Sequence, residues 1–144
     1  MRSRRPGRIA IVASRFNSEV TDRLLESCLA RLSRGGVPRS AVDVVRVPGA
    51  WEIPWAVQER AGSRRYGCVI ALGAVLQGRT SQNEHLSRSV FQALQLVALK
   101  TRVPCVLGVI TPRTSAQAMA RTRGELDRGR ESAEAALDLL RLGP

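Results

Sequence analysis

The chain has few of the residues on which several kinds of protein depend. Its 144 residues include 3% aromatic side chains, one histidine (His85) and three cysteines. So few aromatic side chains leave little for the bases of a single-stranded nucleic acid to stack on. The cysteines lack the spacing of metal ligands, and their odd number does not suggest a disulfide framework. We expect them to be small buried hydrophobic side chains, which suits a reducing, cytoplasmic setting.

Long apolar runs are also missing. No stretch approaches the roughly 20 apolar residues that span a bilayer, so we expect no membrane segment. The start of the chain is basic and then apolar, which superficially resembles a secretory signal. The apolar run is short, and charged Arg15 follows it where a signal would have a small-residue cleavage site, so a buried first strand is the better interpretation.

Positive charge is in excess. The 23 lysine and arginine residues outnumber 12 acidic residues, which gives a net charge of +11, and Lys100 is the only lysine. Such a charge suits a nucleic acid, a membrane surface or a phosphorylated substrate. Apart from Arg2, Arg4, Arg5 and Arg8, the arginines are scattered along the sequence. We therefore interpret them mainly as a compositional bias and do not expect nucleic-acid binding to be the main function.

Apolar, β-branched runs alternate with helical patterns along the chain. The runs predict strands at residues 9–13, 41–47, 69–75 and 103–110. The spacing of apolar residues predicts helices at residues 18–34, 52–61, 81–101, 114–121 and 127–142. This order predicts one α/β domain over residues 1–144, a three-layer α/β/α sandwich on a four-stranded parallel sheet, with residues 1–7 as a loose arm.

Ligands of open parallel sheets bind at the carboxyl ends of the strands, and the third predicted strand ends most informatively. Residues 73–80 end a strand, turn at a glycine and enter a helix. Thr80 or Ser81 can cap that helix, and Ser81 with Glu84 has the spacing of a capping box, as do Thr114 and Gln117 further on. Free N–H groups at the helix start, together with Arg79, would favour a phosphate. An ordinary capped loop fits the same residues equally well.

Three segments together resemble the 6,7-dimethyl-8-ribityllumazine synthase family. They read IVASRFN at 11–17, VPGAWEIP at 47–54 and ALGAVLQGRT at 71–80, and the resemblance runs from about residue 9 to residue 142. It implies the flavodoxin-like lumazine synthase fold and a transferase of riboflavin biosynthesis. In that reaction 5-amino-6-(D-ribitylamino)uracil condenses with 3,4-dihydroxy-2-butanone 4-phosphate to give 6,7-dimethyl-8-ribityllumazine. A Schiff base forms, phosphate leaves and the second ring closes, with no metal and no cofactor.

The resemblance also implies a substrate site. Its substrate-binding residues would be Phe16, Ala50, Trp51, Glu52, Ala74, Val75, Leu76, Arg79, Thr80 and Leu107. Phe16 would stack on the pyrimidine, residues 50–52 would hold the ribityl chain, and residues 74–76 would meet the ring edge. Arg79 and Thr80 would face the phosphate. Leu107, where the family usually has phenylalanine, and Arg121, on the phosphate, would come from the neighbouring subunit.

Position 82 departs from the family pattern. The family has a histidine there that carries protons, whereas this chain has Gln82, which cannot titrate near neutral pH. In one interpretation His85, on much the same helix face, partly replaces it, so the candidate catalytic residues are Gln82, His85 and Arg121. In the other, the chain is a divergent paralogue with an altered substrate, or a catalytically weak shell or ligand-binding subunit.

The resemblance further implies self-assembly. Family members form pentamers, and many build hollow icosahedral shells from them. The junction at residues 121–130 is longer than usual, and longer junctions go with free pentamers or decamers. The expectation is therefore a cytoplasmic homopentamer, with a decamer or a shell as alternatives. Its other partners would be the two small-molecule substrates.

Overall fold

Residues 7–78 and 81–142 are described by a computed structural model. Four strands form one sheet: β1 (Ile9–Ser14), β2 (Val42–Val47), β3 (Cys68–Ala74) and β4 (Cys105–Ile110). The sheet order is β2-β1-β3-β4, and every pairing is parallel. Five helices accompany them: α1 (Ser18–Arg34), α2 (Ile53–Gly62), α3 (Gln82–Thr101), α4 (Ser115–Ala120) and α5 (Arg128–Leu142). The predicted parallel α/β sheet is confirmed; most of the predicted arm lies outside the described residues.

Helices cover both faces of the sheet, which makes three layers. Successive side chains of β1 alternate between two apolar clusters: Val12 packs with α2 and α3, and Ile11 packs with α1 and α5. The central strands β1 and β3 are buried throughout, which explains their near-continuous apolar runs. The edge strand β2 is half-buried in its middle, where Asp43 and Arg46 stand.

Small residues let α5 lie close to both α1 and β4. A Cβ atom on Gly129 would stand 2.3 Å from the carbonyl oxygen of Leu24 in α1. A Cβ atom on Gly108 in β4 would stand 2.6 Å from the hydroxyl of Ser132 in α5. These contacts tie the last helix to the sheet, and any added carbon would push the layers apart.

The two predicted capping boxes have different outcomes. Thr114 caps α4 as predicted, because its hydroxyl accepts a hydrogen bond from the Gln117 backbone N–H at 3.1 Å. The second bond of the box is shifted by one residue: the Gln117 side-chain oxygen accepts from the backbone N–H of Arg113, at 2.9 Å, rather than from that of Thr114. The prediction for Ser81 is wrong: its torsions (φ −75°, ψ −8°) are already helical, and its side chain makes no cap hydrogen bond. A capping residue normally has extended torsions, which aim its oxygen at the helix N–H groups. Glu84 pairs instead with Arg88 at 2.9 Å.

The three cysteines form no disulfide and lie in apolar surroundings. Cys28 and Cys68 are buried, and Cys105 is half-buried. Burial raises the pKa of Cys28 to about 12, helped by the charge of Asp127, and burial alone raises the pKa of Cys105 to about 12. Both thiols therefore stay protonated at neutral pH and behave as small apolar side chains. None of the described helices has the length and apolarity needed to cross a bilayer.

Candidate active site

A pocket of about 110 Å³ opens where three strands end, at the carboxyl edge of the sheet. Four of the predicted substrate-binding residues line it: Phe16, Ala50, Val75 and Leu76. Three further residues complete the lining: Asn17, Asn83 and Leu86. Because the residues come from the loops after β1, β2 and β3, parallel strand order brings together segments that are far apart in the sequence.

Phe16 stands at the mouth of this pocket on a well-defined loop. The backbone N–H groups of Arg15 and Phe16 donate to the carbonyls of Val47 and Pro48, at 2.8 and 2.9 Å, so the pairing with the chain after β2 continues past the strand. The Phe16 ring itself is 71% exposed. An aromatic ring held on a rigid backbone and open to solvent suits stacking against a flat heterocycle.

Asn17 fixes the turn from β1 into α1. It has the left-handed torsions φ 61° and ψ 49°, and its side-chain amide donates to the carbonyl of Ala74 at 2.9 Å. Asparagine tolerates such torsions better than most residues. This contact joins the loops after β1 and β3 beneath the pocket. Asn17 belongs to the first sequence motif, but the pattern alone did not assign it a role.

The segment at residues 50–52 forms a short 3₁₀ turn after β2. Glu52 closes this turn, because its carboxylate oxygen Oε1 accepts a hydrogen bond from the backbone N–H of Gly49 at 2.8 Å. Ala50 is buried and faces the pocket, whereas the Trp51 side chain is 69% exposed. Trp51 and Glu52 are not among the residues that line the pocket of Phe16. Glu52 thus has a structural contact besides its predicted role with the ribityl chain.

The loop after β3 is attached to the loop after β4. Backbone N–H groups of Val75 and Gln77 donate to the carbonyls of Ile110 and Pro112, both at 2.9 Å. Below the loop, a Cβ atom on Gly73 would stand 2.9 Å from the hydroxyl oxygen of Ser14, so the glycine permits close packing under the pocket.

The turn itself continues at Gly78, which has φ 61°, a left-handed conformation that favours glycine. The two residues predicted to face the phosphate, Arg79 and Thr80, come next and lie outside the described residues.

A network of side-chain amides joins this loop to the first turns of α3. The Asn83 side-chain amide donates to the carbonyl of Leu76. The Gln77 side-chain amide donates to the carbonyl of Val75 at 3.1 Å and to the hydroxyl of Ser87 at 3.3 Å. Ser87 in turn donates to the carbonyl of Asn83 at 2.7 Å. The network sets the position of Val75 and Leu76 relative to the helix; the sequence offered no signal for it beyond the polar residues at the helix start.

Gln82 and His85 both lie in the first turn of α3, and both are exposed. Neither lines the pocket of Phe16, but Asn83 lies between them in the chain and does. The two side chains are therefore placed beside the pocket, and no described contact locks either of them in one position.

The last two predicted residues lie elsewhere in the subunit. Leu107, on the edge strand β4, is 38% exposed, and Arg121 ends α4. Together with Phe91, Leu126 and Arg128 they line a second pocket of about 350 Å³. One described chain thus presents two separate pockets, one lined by Phe16 and one lined by Arg121. Within the described residues, no cluster of three or more His, Cys, Asp or Glu side chains could hold a metal ion.

Comparison with known proteins tests the resemblance that the three motifs suggested. A family model described as 6,7-dimethyl-8-ribityllumazine synthase matches residues 6–143, nearly the whole chain. The chain belongs to this lumazine synthase family. The resemblance inferred from the sequence is therefore confirmed.

Several named members of the lumazine synthase family are similar to this chain over most of their length. The chain is 43% identical over 133 residues to 6,7-dimethyl-8-ribityllumazine synthase 1 of Caulobacter vibrioides, which covers 92% of this chain and 87% of that protein. It is 38% identical over 137 residues to the synthase of Rhodopirellula baltica, covering 94% and 88%. It is 42% identical over 136 residues to the synthase of Xanthomonas oryzae, with the same coverage.

Proposed function

We propose that this chain condenses 5-amino-6-(D-ribitylamino)uracil with 3,4-dihydroxy-2-butanone 4-phosphate to 6,7-dimethyl-8-ribityllumazine, the transferase reaction of its family in riboflavin biosynthesis. The observation that carries this proposal is the family match over residues 6–143, which includes all three motifs at the candidate site. The relatives are named as synthases, and none of the findings favours a paralogue with another substrate.

The pocket around Phe16 holds the ribitylaminouracil in this proposal. The exposed Phe16 ring stacks on the pyrimidine, Ala50 allows close approach, and Val75 and Leu76 meet the ring edge. Trp51 and Glu52, in the 3₁₀ turn just before α2, contact the ribityl chain in this proposal. Ala74 acts through its backbone, because its side chain is buried and its carbonyl accepts from Asn17.

In this proposal, a second copy of the chain places its Arg121 pocket against the pocket of Phe16, so that the two together form one site. The supporting observation is that Leu107 and Arg121 line a different pocket from Phe16 within one subunit. A guanidinium binds phosphate with strong, charge-assisted hydrogen bonds, so Arg121 together with Arg79 and Thr80 would hold the phosphate of the second substrate. This arrangement requires an oligomer, and we propose a cytoplasmic homopentamer that works without a metal or an organic cofactor.

Orientation supplies most of the catalysis in this scheme. The amine and the ketone react spontaneously once aligned, and holding two reactants in register can lower a barrier by roughly 7–11 kcal/mol. Gln82 can donate or accept a hydrogen bond near the reacting groups but cannot carry a proton. His85, the one histidine of the chain, is exposed three residues further along the same turn of α3 and is the candidate for that role.

Mixing purified protein with the two precursors tests the proposed reaction. We expect 6,7-dimethyl-8-ribityllumazine to form faster than in a protein-free mixture, followed by its absorbance. A matched control is Arg34→Gln, because Arg34 is exposed at the end of α1, at the opposite edge of the sheet, and should leave the rate unchanged. A rate equal to the protein-free background would contradict the proposal, and tight binding of a ribityl-pyrimidine analogue without turnover would assign a binding role instead.

A further inference from the structure

We propose that the edge of the sheet opposite the candidate active site binds the phosphate backbone of a duplex nucleic acid. This amino edge comprises the loops that precede the four strands and the last turns of the four helices that run back to them, α1, α2, α3 and α5. It is remote from the loops that form the pocket of Phe16, so the inference goes beyond the proposed function and does not depend on it.

Arginines in the loops are the first observation. Each of the four loops that lead into a strand carries at least one of them, and the described residues of these loops include five arginines. They are Arg8 before β1, Arg39 before β2, Arg64 and Arg65 before β3, and Arg102 before β4. All five are exposed. Parallel strands lie about 4.8 Å apart, so these side chains spread over about 14 Å, more than a single phosphate occupies.

Basic residues at the helix ends add to this edge. The last turns of the four helices carry Arg31, Arg34, Arg60, Lys100 and Arg141. Cations at helix C-termini are partly explained by the negative end of the helix dipole. The dipole does not explain the five loop arginines, which precede strands.

The charge of the amino edge is therefore strongly one-sided. The described loops and last turns of this edge contain ten basic side chains and one acidic side chain, Glu59. Three of the ten form ion pairs with carboxylates that lie outside these loops and last turns. The pairs are Arg8–Asp43, Arg31–Glu134 and Arg141–Asp138. An excess of six positive charges remains at this edge. Solvent-exposed pairs contribute little stability, so holding the fold together does not account for the excess.

The carboxyl edge of the same sheet shows whether the excess of positive charge is specific to the amino edge. The loops that follow the strands and the helix starts, counted over the described residues in the same way, carry six basic and six acidic side chains. A uniform compositional bias toward arginine would enrich both edges alike. The fold instead collects the excess charge on one edge, although the arginines are scattered along the sequence.

The chemistry of the edge favours a duplex backbone over other polyanions. A duplex carries one charge per about 1.7 Å of axis, so about eight phosphates would pass along 14 Å. Single strands need exposed rings to stack on, but the exposed aromatic side chains of the described chain lie elsewhere and Tyr66 at this edge is buried. Membrane docking normally adds apolar insertion. None of the exposed large apolar side chains lies in the four loops, and two of them, Leu99 and Leu142, lie in the last turns of α3 and α5.

Salt dependence of duplex binding tests the proposal. The full-length protein would be titrated into a labelled DNA duplex of about 20 base pairs, two helical turns, and binding followed by anisotropy. With at least four phosphates neutralised, the slope of log Kobs against log salt should be about −3.6 or steeper between about 50 and 200 mM.

The variant Arg34→Gln/Arg64→Gln/Arg102→Gln removes three exposed charges whose side chains make no hydrogen bond or ion pair with the described residues. We expect its slope to be less steep by about three and its binding to weaken at least about tenfold at low salt. The matched control Arg23→Gln/Arg113→Gln/Arg123→Gln removes the same charge away from this edge and should bind like the unmodified protein.

Three outcomes would overturn the proposal. They are no duplex binding at about 50 mM salt, equal loss of binding in both triple variants, and binding to phosphatidylserine vesicles without binding to the duplex. Lumazine formation, measured on the same preparations, reports separately on the proposed function, because none of the substituted arginines belongs to the candidate site.

Discussion

Gln82 is the residue whose replacement says most about proton transfer in the candidate site. It lies exposed in the first turn of α3, where the family pattern has a histidine. We expect Gln82→His to raise kcat for lumazine formation at neutral pH while leaving KM nearly unchanged. General acid–base help is typically worth roughly 10²–10⁴-fold, so a rise of about tenfold or more is expected even from imperfect placement.

His85 supplies the comparison for that experiment. If His85 carries protons in the unmodified protein, His85→Ala lowers kcat, and it does so less in the Gln82→His background, where the new imidazole takes over. A Gln82→His variant that is no faster than the unmodified protein would show that this position does not meet the reacting groups.

A single hydrogen bond from Asn83 holds part of the candidate site in position. Its amide donates to the carbonyl of Leu76, which lines the pocket of Phe16. Asn83→Asp keeps the size of the side chain but replaces the donor with a second acceptor. Losing a bond worth about 1 kcal/mol should raise the KM for the ribitylaminouracil by about fivefold. The free energy of unfolding should change little, because a carboxylate in the first turn of a helix is favourable.

The control for Asn83→Asp makes the same chemical change further along α3. Gln92→Glu also converts an exposed amide to a carboxylate, away from the pocket, and should leave KM unchanged. If both variants raise KM equally, added negative charge rather than the contact with Leu76 is responsible.

At the scale of elements, the close approach of α5 to α1 makes a clear stability prediction. A Cβ atom on Gly129 would stand 2.3 Å from the Leu24 carbonyl oxygen, a backbone atom that cannot move aside alone. Gly129→Ala should therefore lower the free energy of unfolding by about 2–3 kcal/mol, as overpacking does. Denaturant unfolding followed by circular dichroism would measure it.

Gly62, the last residue of α2, provides a matched helical glycine with nothing within 4 Å of an added Cβ atom. Gly62→Ala should change stability by less than about 1 kcal/mol, and in the stabilising direction. Equal destabilisation by both substitutions would show that loss of glycine, not contact with Leu24, is the cause.

The elements that could be predicted are those in which one local pattern dominates. The apolar runs of β1 and β3 and the long helical pattern of α3 were clear because burial on both faces, or on one helix face, determines them. β4 begins at Cys105 rather than at residue 103, since Pro104 has no N–H with which to join the ladder. The Ser81 cap failed because spacing alone does not reveal backbone torsions.

Site residues could be predicted only where they belong to a sequence motif of the family. Phe16, Ala50, Val75 and Leu76 follow from the resemblance, and parallel topology then brings them together. The hydrogen bond from Asn83 to Leu76 joins residues seven positions apart, and no sequence pattern predicts such a contact.

At the scale of the whole molecule, the proposed function divides the candidate site between two copies of the chain. Phe16 and Arg121 line different pockets of one chain, so the proposed reaction needs two copies that contribute opposite halves. Loss of either half should abolish most activity, because stacking on one side and phosphate binding on the other are both required for orientation.

Subunit complementation tests this shared site most directly. Phe16→Ala and Arg121→Ala would be purified separately and also co-expressed in equal amounts, and lumazine formation measured for all three preparations. Each pure variant should be nearly inactive. Random mixing gives about a quarter of the sites an intact half from each neighbour, so the mixed oligomer should recover about a quarter of the activity of the unmodified protein. An active unmodified protein whose mixed variants recover nothing would contradict a site shared between subunits.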